Sequence, residues 1–171
     1  MAVFVCLCGL PGVGKSTVAR VLAAQTGALW LRVDLIEAAI AQSDFAPQDL
    51  ADLGYRALAA AAEGALSQGI DVIGDCVNPI EMTRRLFQDA SARVKAHHLD
   101  VELVCSDQSE HRKRVEGRAA DIPGLALPSW AAVAAREWEP LATGHLSIDT
   151  IRLSAEDAAK IIAVHMERPG P

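Results

Sequence analysis

Residues 9–17 read GLPGVGKST (Gly9–Thr17), directly after the apolar run AVFVCLC. A continuous apolar run bounded by glycine fits a strand covered on both faces. Gly9-x-x-x-x-Gly14-Lys15-Ser16 completes the phosphate-loop pattern G-x-x-x-x-G-K-[ST]. Glycines allow positive φ and close approach of an anion to the backbone. Successive amides, here from Gly12 to Thr17, then point at phosphate, helped by the positive end of the next helix, while Pro11 and Gly12 stiffen and open the turn. Lys15 can reach the β- and γ-phosphates, and the Ser16 hydroxyl can ligate Mg²⁺. The expected nucleotide contacts are therefore Gly9, Pro11, Gly12, Val13, Gly14, Lys15, Ser16 and Thr17.

The rest of the chain alternates strands and helices, which implies right-handed crossovers and a parallel sheet with helices on both faces. A helix is expected from about Lys15 to Gln25, stopped by Gly27, and a second strand at ALWLRV. A short helix LIEAAIAQ comes next. Pro47 is read as the start of a long helix to Gln68. IDVIGD is the third strand, and a helix follows from about Pro79 to His97. VELVC and HLSIDTI are the fourth and fifth strands. Ser154 and Asp157 form a capping signal for a last helix to about His165. The tail RPGP is expected to fray.

Composition bounds the function. The 171 residues suit one domain, 1–171, with 106–129 as a lid region. The chain is 51% hydrophobic, 22% charged and 4% aromatic, with net charge −6. That charge argues against a general nucleic-acid binder. Cys6, Cys8, Cys76 and Cys105 lack metal-site spacing and read as reduced thiols of a cytoplasmic protein. No uncharged apolar run reaches the ~18 residues of a membrane span, and the N-terminus lacks the pattern of a signal peptide.

The loop alone does not say what the triphosphate is for. The guanine-reading N-K-x-D of GTPases is missing from the sequence, and the D-x-x-G matches at Asp71 and Asp121 fall in the wrong contexts. A kinase needs an acceptor-side carboxylate, a metal acid and cations over the moving phosphoryl group. Asp34, read at the end of the second strand, is the expected base, with helix capping as its alternative or additional role. Glu37, one turn later, either contacts the acceptor or favours the helix N-terminus. Asp75 ends the third strand and is the expected Mg²⁺ acid, or a turn residue. Asn78 either bonds the acceptor or shapes the turn before Pro79. Arg114 and Arg118 share a helix face, as lid cations on a mobile helix or as a solvated basic face. Arg118 is expected on the moving phosphoryl group and Arg114 on the nucleotide. His97 and His98 are placed at a helix end or on the surface. Trp130 and Trp138, read on one helix, are either core or a dimer surface, so the chain is a monomer or a homodimer.

With these residues the chain resembles the small P-loop kinases of the nucleotide-kinase-like group, which includes polynucleotide kinase, chloramphenicol phosphotransferase and the zeta toxins. GLPGVGKST matches the group's loop, and VDLIEA resembles the phosphotransferase stretch that carries its base, implying that role for Asp34. GIDVIGDCVNP resembles the group's strand–Asp–x–x–Asn segment, and HRKRVEGR its arginine-bearing lid. The resemblance implies the P-loop nucleoside triphosphate hydrolase fold: five parallel strands in the order 2-3-1-4-5, with a small lid. It also implies an ATP- and Mg²⁺-dependent phosphotransferase. Three residues after the base, where polynucleotide kinases carry arginine, stands Glu37. With the acidic net charge this points to a small-molecule hydroxyl acceptor. A polynucleotide 5′-hydroxyl kinase and a non-catalytic nucleotide switch are the alternatives.

Overall fold

A computed structural model describes residues 1–167; the tail expected to fray, 168–171, lies outside the described residues. In chain order the elements are β1 (Val3–Cys8), α1 (Lys15–Thr26), β2 (Leu29–Arg32), α2 (Val33–Ala41), α3 (Leu53–Ser67), β3 (Val72–Asp75), α4 (Glu81–Arg93), β4 (His97–Val104), α5 (Gln108–Gly117), α6 (Trp130–Ala134), β5 (Leu146–Asp149) and α7 (Ala155–Glu167). The strands form one sheet in the order β2-β3-β1-β4-β5. Every pairing is parallel.

β1 is the centre, and all six of its residues are buried. Alternation along it divides the interior in two. Val3, Val5 and Leu7 join Val18, Leu22, Ala158 and Ile162 on the α1–α7 face. Phe4 and Cys6 join Leu58, Ala62, Phe87 and Ala90 on the α3–α4 face. Each fully buried Val, Leu or Phe contributes about 1.5–3 kcal/mol. The small alanines let the helices lie close to the sheet, and Gly74 of β3 makes room for the Phe4 ring, which a Cβ there would meet at 2.8 Å. The four cysteines are free thiols, with Cys6, Cys8 and Cys76 buried.

Several expected boundaries move. β2 stops at Arg32, and Val33 already belongs to α2. The helix read from Pro47 begins only at Leu53. Proline fixes one φ but cannot start a helix whose next residues lack an apolar face to bury. The helix read to His97 ends at Arg93, because the chain turns at Lys95 (φ 57°) and β4 begins at His97. His98 is accordingly a strand residue, bonded to Ser91 at 3.0 Å and Asp100 at 3.0 Å. Trp130 and Trp138 do not share a helix, since α6 has five residues; Trp138 instead stacks against the Arg84 guanidinium at 5.4 Å. Ser154 does cap α7, accepting from Asp157 N at 3.1 Å. Among the described residues no helix is long and apolar enough to cross a membrane.

Candidate active site

The carboxyl ends of β1, β3 and β2 open into one cavity of about 1040 Å³. Parallel sheets place ligand sites at this edge.

The loop after β1 forms one wall. Gly9 adopts φ 142°, and a Cβ there would lie 2.3 Å from the Leu103 carbonyl of β4. Gly12 adopts φ 87°, with Val115 of α5 so close that a Cβ would meet its Cγ2 at 2.5 Å. The loop thus runs wedged between β4 and α5. Pro11, Gly12, Gly14, Lys15, Ser16 and Thr17 line the cavity. Val13 does not: it is 2% exposed and packs in the α1–α7 core. Gly9 likewise serves the wedge rather than the wall. Gly14 caps α1, whose first-turn amides lack partners within the helix.

Lys15 is buried and donates to the Leu10 carbonyl at 3.1 Å. Burial lowers its pKa, against the pull of Asp75 and Asp34. Asp75, at the end of β3, is 5% exposed. Burial raises its pKa, opposed by Lys15, by a hydrogen bond from Ser16 and by Arg32. Ser16 and Asp75 line the same cavity, where both were expected to hold a cation.

Asp34 and Glu37 also line the cavity. Asp34 is the second residue of α2, not the end of β2 and not its N-cap, which is the extended Arg32. Glu37 comes one turn later and lies on Gly54, where a Cβ would sit 2.5 Å from its Cγ. Burial and the nearby Asp34 raise the Glu37 pKa, and Arg136 opposes them.

The α5 face supplies cations. Arg114 donates to Thr150 Oγ1 at 3.0 Å and to Glu110 at 3.1 Å while lining the cavity. Arg118, at the C-terminal end of α5, also lines it, and among the described residues its buried Nε has no hydrogen-bond partner. Burial lowers its pKa. A buried donor without an acceptor, facing a cavity walled by unpaired amides and a buried lysine, fits a polyanionic ligand. The Ser16–Asp75 pair fits a hard cation bound through oxygen.

Asn78 is not brought to this cavity. It is fully buried at φ 51°, its Nδ2 donates to Cys6 Sγ at 3.2 Å, and its amide donates to Tyr55 Oη at 3.2 Å. It shapes the turn after β3 instead of meeting an acceptor. Conversely, Arg32, Asp121, Arg136 and Thr150 line the cavity without having been singled out. Arg32 had a readable signal, standing two residues before Asp34 at a strand end. Thr150 had none, because its role is to donate to the Val13 carbonyl at 2.8 Å across the fold.

No curated protein matches this sequence. Among solved structures, the APS kinase of Mycobacterium tuberculosis, in complex with AMPPNP and APS, superposes with TM-score 0.73 at 19% identity, covering 98% of each chain. Chaetomium thermophilum Kti12, in complex with ADP-AlF3, gives 0.71 at 17%, covering 96% of this chain and 100% of that one. A gluconokinase from Sinorhizobium meliloti gives 0.64 at 20%, covering 95% and 93%. At such identities the likeness is one of fold, the P-loop fold with strand order 2-3-1-4-5. Residues 4–137 match the family described as AAA domain, and the chain belongs to that family.

Proposed function

We propose that the protein is an ATP-dependent phosphotransferase that moves the γ-phosphoryl group to a hydroxyl of a small molecule. The observation that supports this is the cavity itself: the phosphate loop and Asp34 line one and the same space. Its volume lies at the top of the range for ligand pockets, about 300–1,000 Å³, which suits a nucleotide and a second molecule together. A module that only binds nucleotide and transfers phosphate to nothing has no need of such a carboxylate in the cavity.

Loop amides and the α1 N-terminus hold the phosphates. Ser16 and Asp75 would hold Mg²⁺, which when bound supplies positive charge to the phosphate oxygens. Asp34 orients the acceptor hydroxyl and takes its proton. Lys15 and Arg118 stabilise charge on the moving phosphoryl group, an electrostatic contribution worth about 10²–10³ in rate for one donor. Arg114 stays with the nucleotide. Glu37 contacts the acceptor. Residues 1–171 act as one domain, and 106–129 as its lid, with Arg32–Asp121 (2.6 Å) and Gln42 to the Pro123 carbonyl (3.3 Å) clasping the loop after α5.

The test is ATP consumption against a panel of small hydroxyl acceptors with Mg²⁺ present. Acceptor-dependent turnover is expected, reduced about 10²–10⁴-fold in Asp34→Asn. Transfer to an oligonucleotide 5′-hydroxyl alone, or hydrolysis that no acceptor accelerates, would replace the reading.

A further inference from the structure

The donors that hold one oxygen of Asp75 come from β2, not from the phosphate loop. Trp30 Nε1 donates to Asp75 Oδ2 at 3.3 Å, and Arg32 Nε lies 3.6 Å from the same oxygen. Arg32 stands opposite Asp75 in the β2–β3 register, and Trp30, two residues earlier, shares its face of the sheet. The indole is held from two directions: the Arg20 guanidinium lies 5.9 Å from its centroid and that of Arg32 5.4 Å. Arg32 is held in turn, its terminal nitrogens gripping the Asp121 carboxylate at 2.6 and 3.3 Å. Among the described residues its buried Nε has no hydrogen-bond partner. Trp30 is not part of the cavity wall.

A carboxylate turns about its last torsion in a broad, two-fold well. Fixing one oxygen therefore fixes the other. We infer that Trp30 is a positioning residue: its indole N–H holds Asp75 by Oδ2 and so leaves Oδ1 as the oxygen presented to Ser16 and to a divalent cation. This rests on the reading of Ser16 and Asp75 as the cation pair. The stacked guanidinium groups keep the ring from rotating, so the N–H stays on the carboxylate whether or not a nucleotide is bound. Phenylalanine would preserve the ring and its stacking while deleting only the donor.

The experiment measures Mn²⁺ binding by electron paramagnetic resonance, in the presence of a nonhydrolysable ATP analogue, for the wild type, Trp30→Phe and Asp75→Asn. Trp30→Phe is expected to weaken Mn²⁺ about 10-fold, while affinity for the analogue in EDTA stays as in the wild type. A second readout follows the Trp30 indole N–H by nuclear magnetic resonance. The indole N–H resonance that disappears in Trp30→Phe should shift when Mg²⁺ is added to the analogue complex, and should not shift in Asp75→Asn. If Trp30→Phe fails to fold, site-selective labelling of Trp30 identifies that resonance, and its response decides. Mn²⁺ affinity in Trp30→Phe within twofold of the wild type, with Asp75→Asn weakened, overturns the positioning role and leaves the cation pair standing. Equal Mn²⁺ affinity in Asp75→Asn and the wild type removes the cation reading and the inference with it.

Discussion

His111 Nε2 lies 2.8 Å from the Pro11 carbonyl, so the first turn of α5 holds the phosphate loop directly. The carbonyl can only accept, hence Nε2 carries the proton. One turn later Val115 presses on Gly12. Arg114 donates to Thr150, whose hydroxyl donates to the Val13 carbonyl. Three successive loop residues are thus gripped from α5 and the end of β5. The helix whose sequence allowed a mobile reading is tied to the loop by these contacts. His111→Ala removes a buried hydrogen bond and the edge contact with Trp130 at 5.2 Å. A loss of about 1–3 kcal/mol is expected, seen calorimetrically as a melting point lower by about 2–12 °C. Nucleotide affinity should fall with it.

Gly12→Ala tests the same grip from the loop side. The new Cβ would stand 2.5 Å from Val115 Cγ2, and φ 87° adds backbone strain of its own. Stability should drop by about 1–3 kcal/mol from the crowding. Adding Val115→Ala relieves the collision but not the strain. A double-mutant cycle should therefore give a coupling of about 1 kcal/mol in favour of the pair. Strict additivity in urea titrations would mean that the two residues do not press on each other.

Arg118 should show stability and activity moving in opposite directions. Its Nε is buried without a partner, and burial works against its charge. Arg118→Met removes that cost, so the melting temperature should hold or rise. Acceptor-dependent turnover should fall about 10²–10³-fold. Loss of both would place Arg118 in the scaffold instead.

Arg84 illustrates the scaffold case. Buried on α4, it donates to the carbonyls of Asn78 at 3.1 Å, Pro140 at 3.0 Å and Pro79 at 2.9 Å, and also to that of Glu139. It pins the segment after α6 to the turn after β3. Arg84→Met leaves the carbonyls of Asn78, Glu139 and Pro140 without this donor, while that of Pro79 keeps the Glu139 amide at 2.9 Å, and a loss of about 3 kcal/mol or more is expected. Thermal melting should show the drop, about 6–12 °C for a chain of this size.

What the sequence made legible follows periodicity and local chemistry. β1, the phosphate loop and α1 were readable because strand, glycines and helix stop are contiguous. The strand-end acid Asp75 was readable for the same reason. Asp34 was identified as a residue but put on the wrong element, since ALWLRVD gives no sign that the chain coils at Val33. The two readings of Asn78 stayed open because a polar residue before proline looks the same whether it faces a cavity or is buried against Cys6 in the turn. Trp30, His111, Arg84 and Thr150 were invisible as site or scaffold residues: each acts through a partner far away in sequence, His111 on Pro11 and Thr150 on Val13. Such pairings depend on strand order, which local pattern does not encode.

Glu37 carries the pH dependence. Burial first, then the charge of Asp34, raise its pKa above the ordinary glutamate value of 4.5, while Arg136 on the cavity rim pulls it down. Tyr55 from α3 also faces it and stays neutral, its own pKa pushed well up by burial. The native state therefore binds this proton more tightly than the unfolded chain does. The contribution of Glu37 to stability is fully present below pH 4.5 and is lost as pH rises through the elevated folded value. Glu37→Gln cannot ionise and escapes that loss. The melting temperature of the variant relative to the wild type should therefore be higher at pH 7 than at pH 4, as scanning calorimetry at both values would show. A difference that does not change between the two pH values would mean that the carboxylate is as well solvated in the cavity as in the unfolded chain, and that α3 and Asp34 do not press on it.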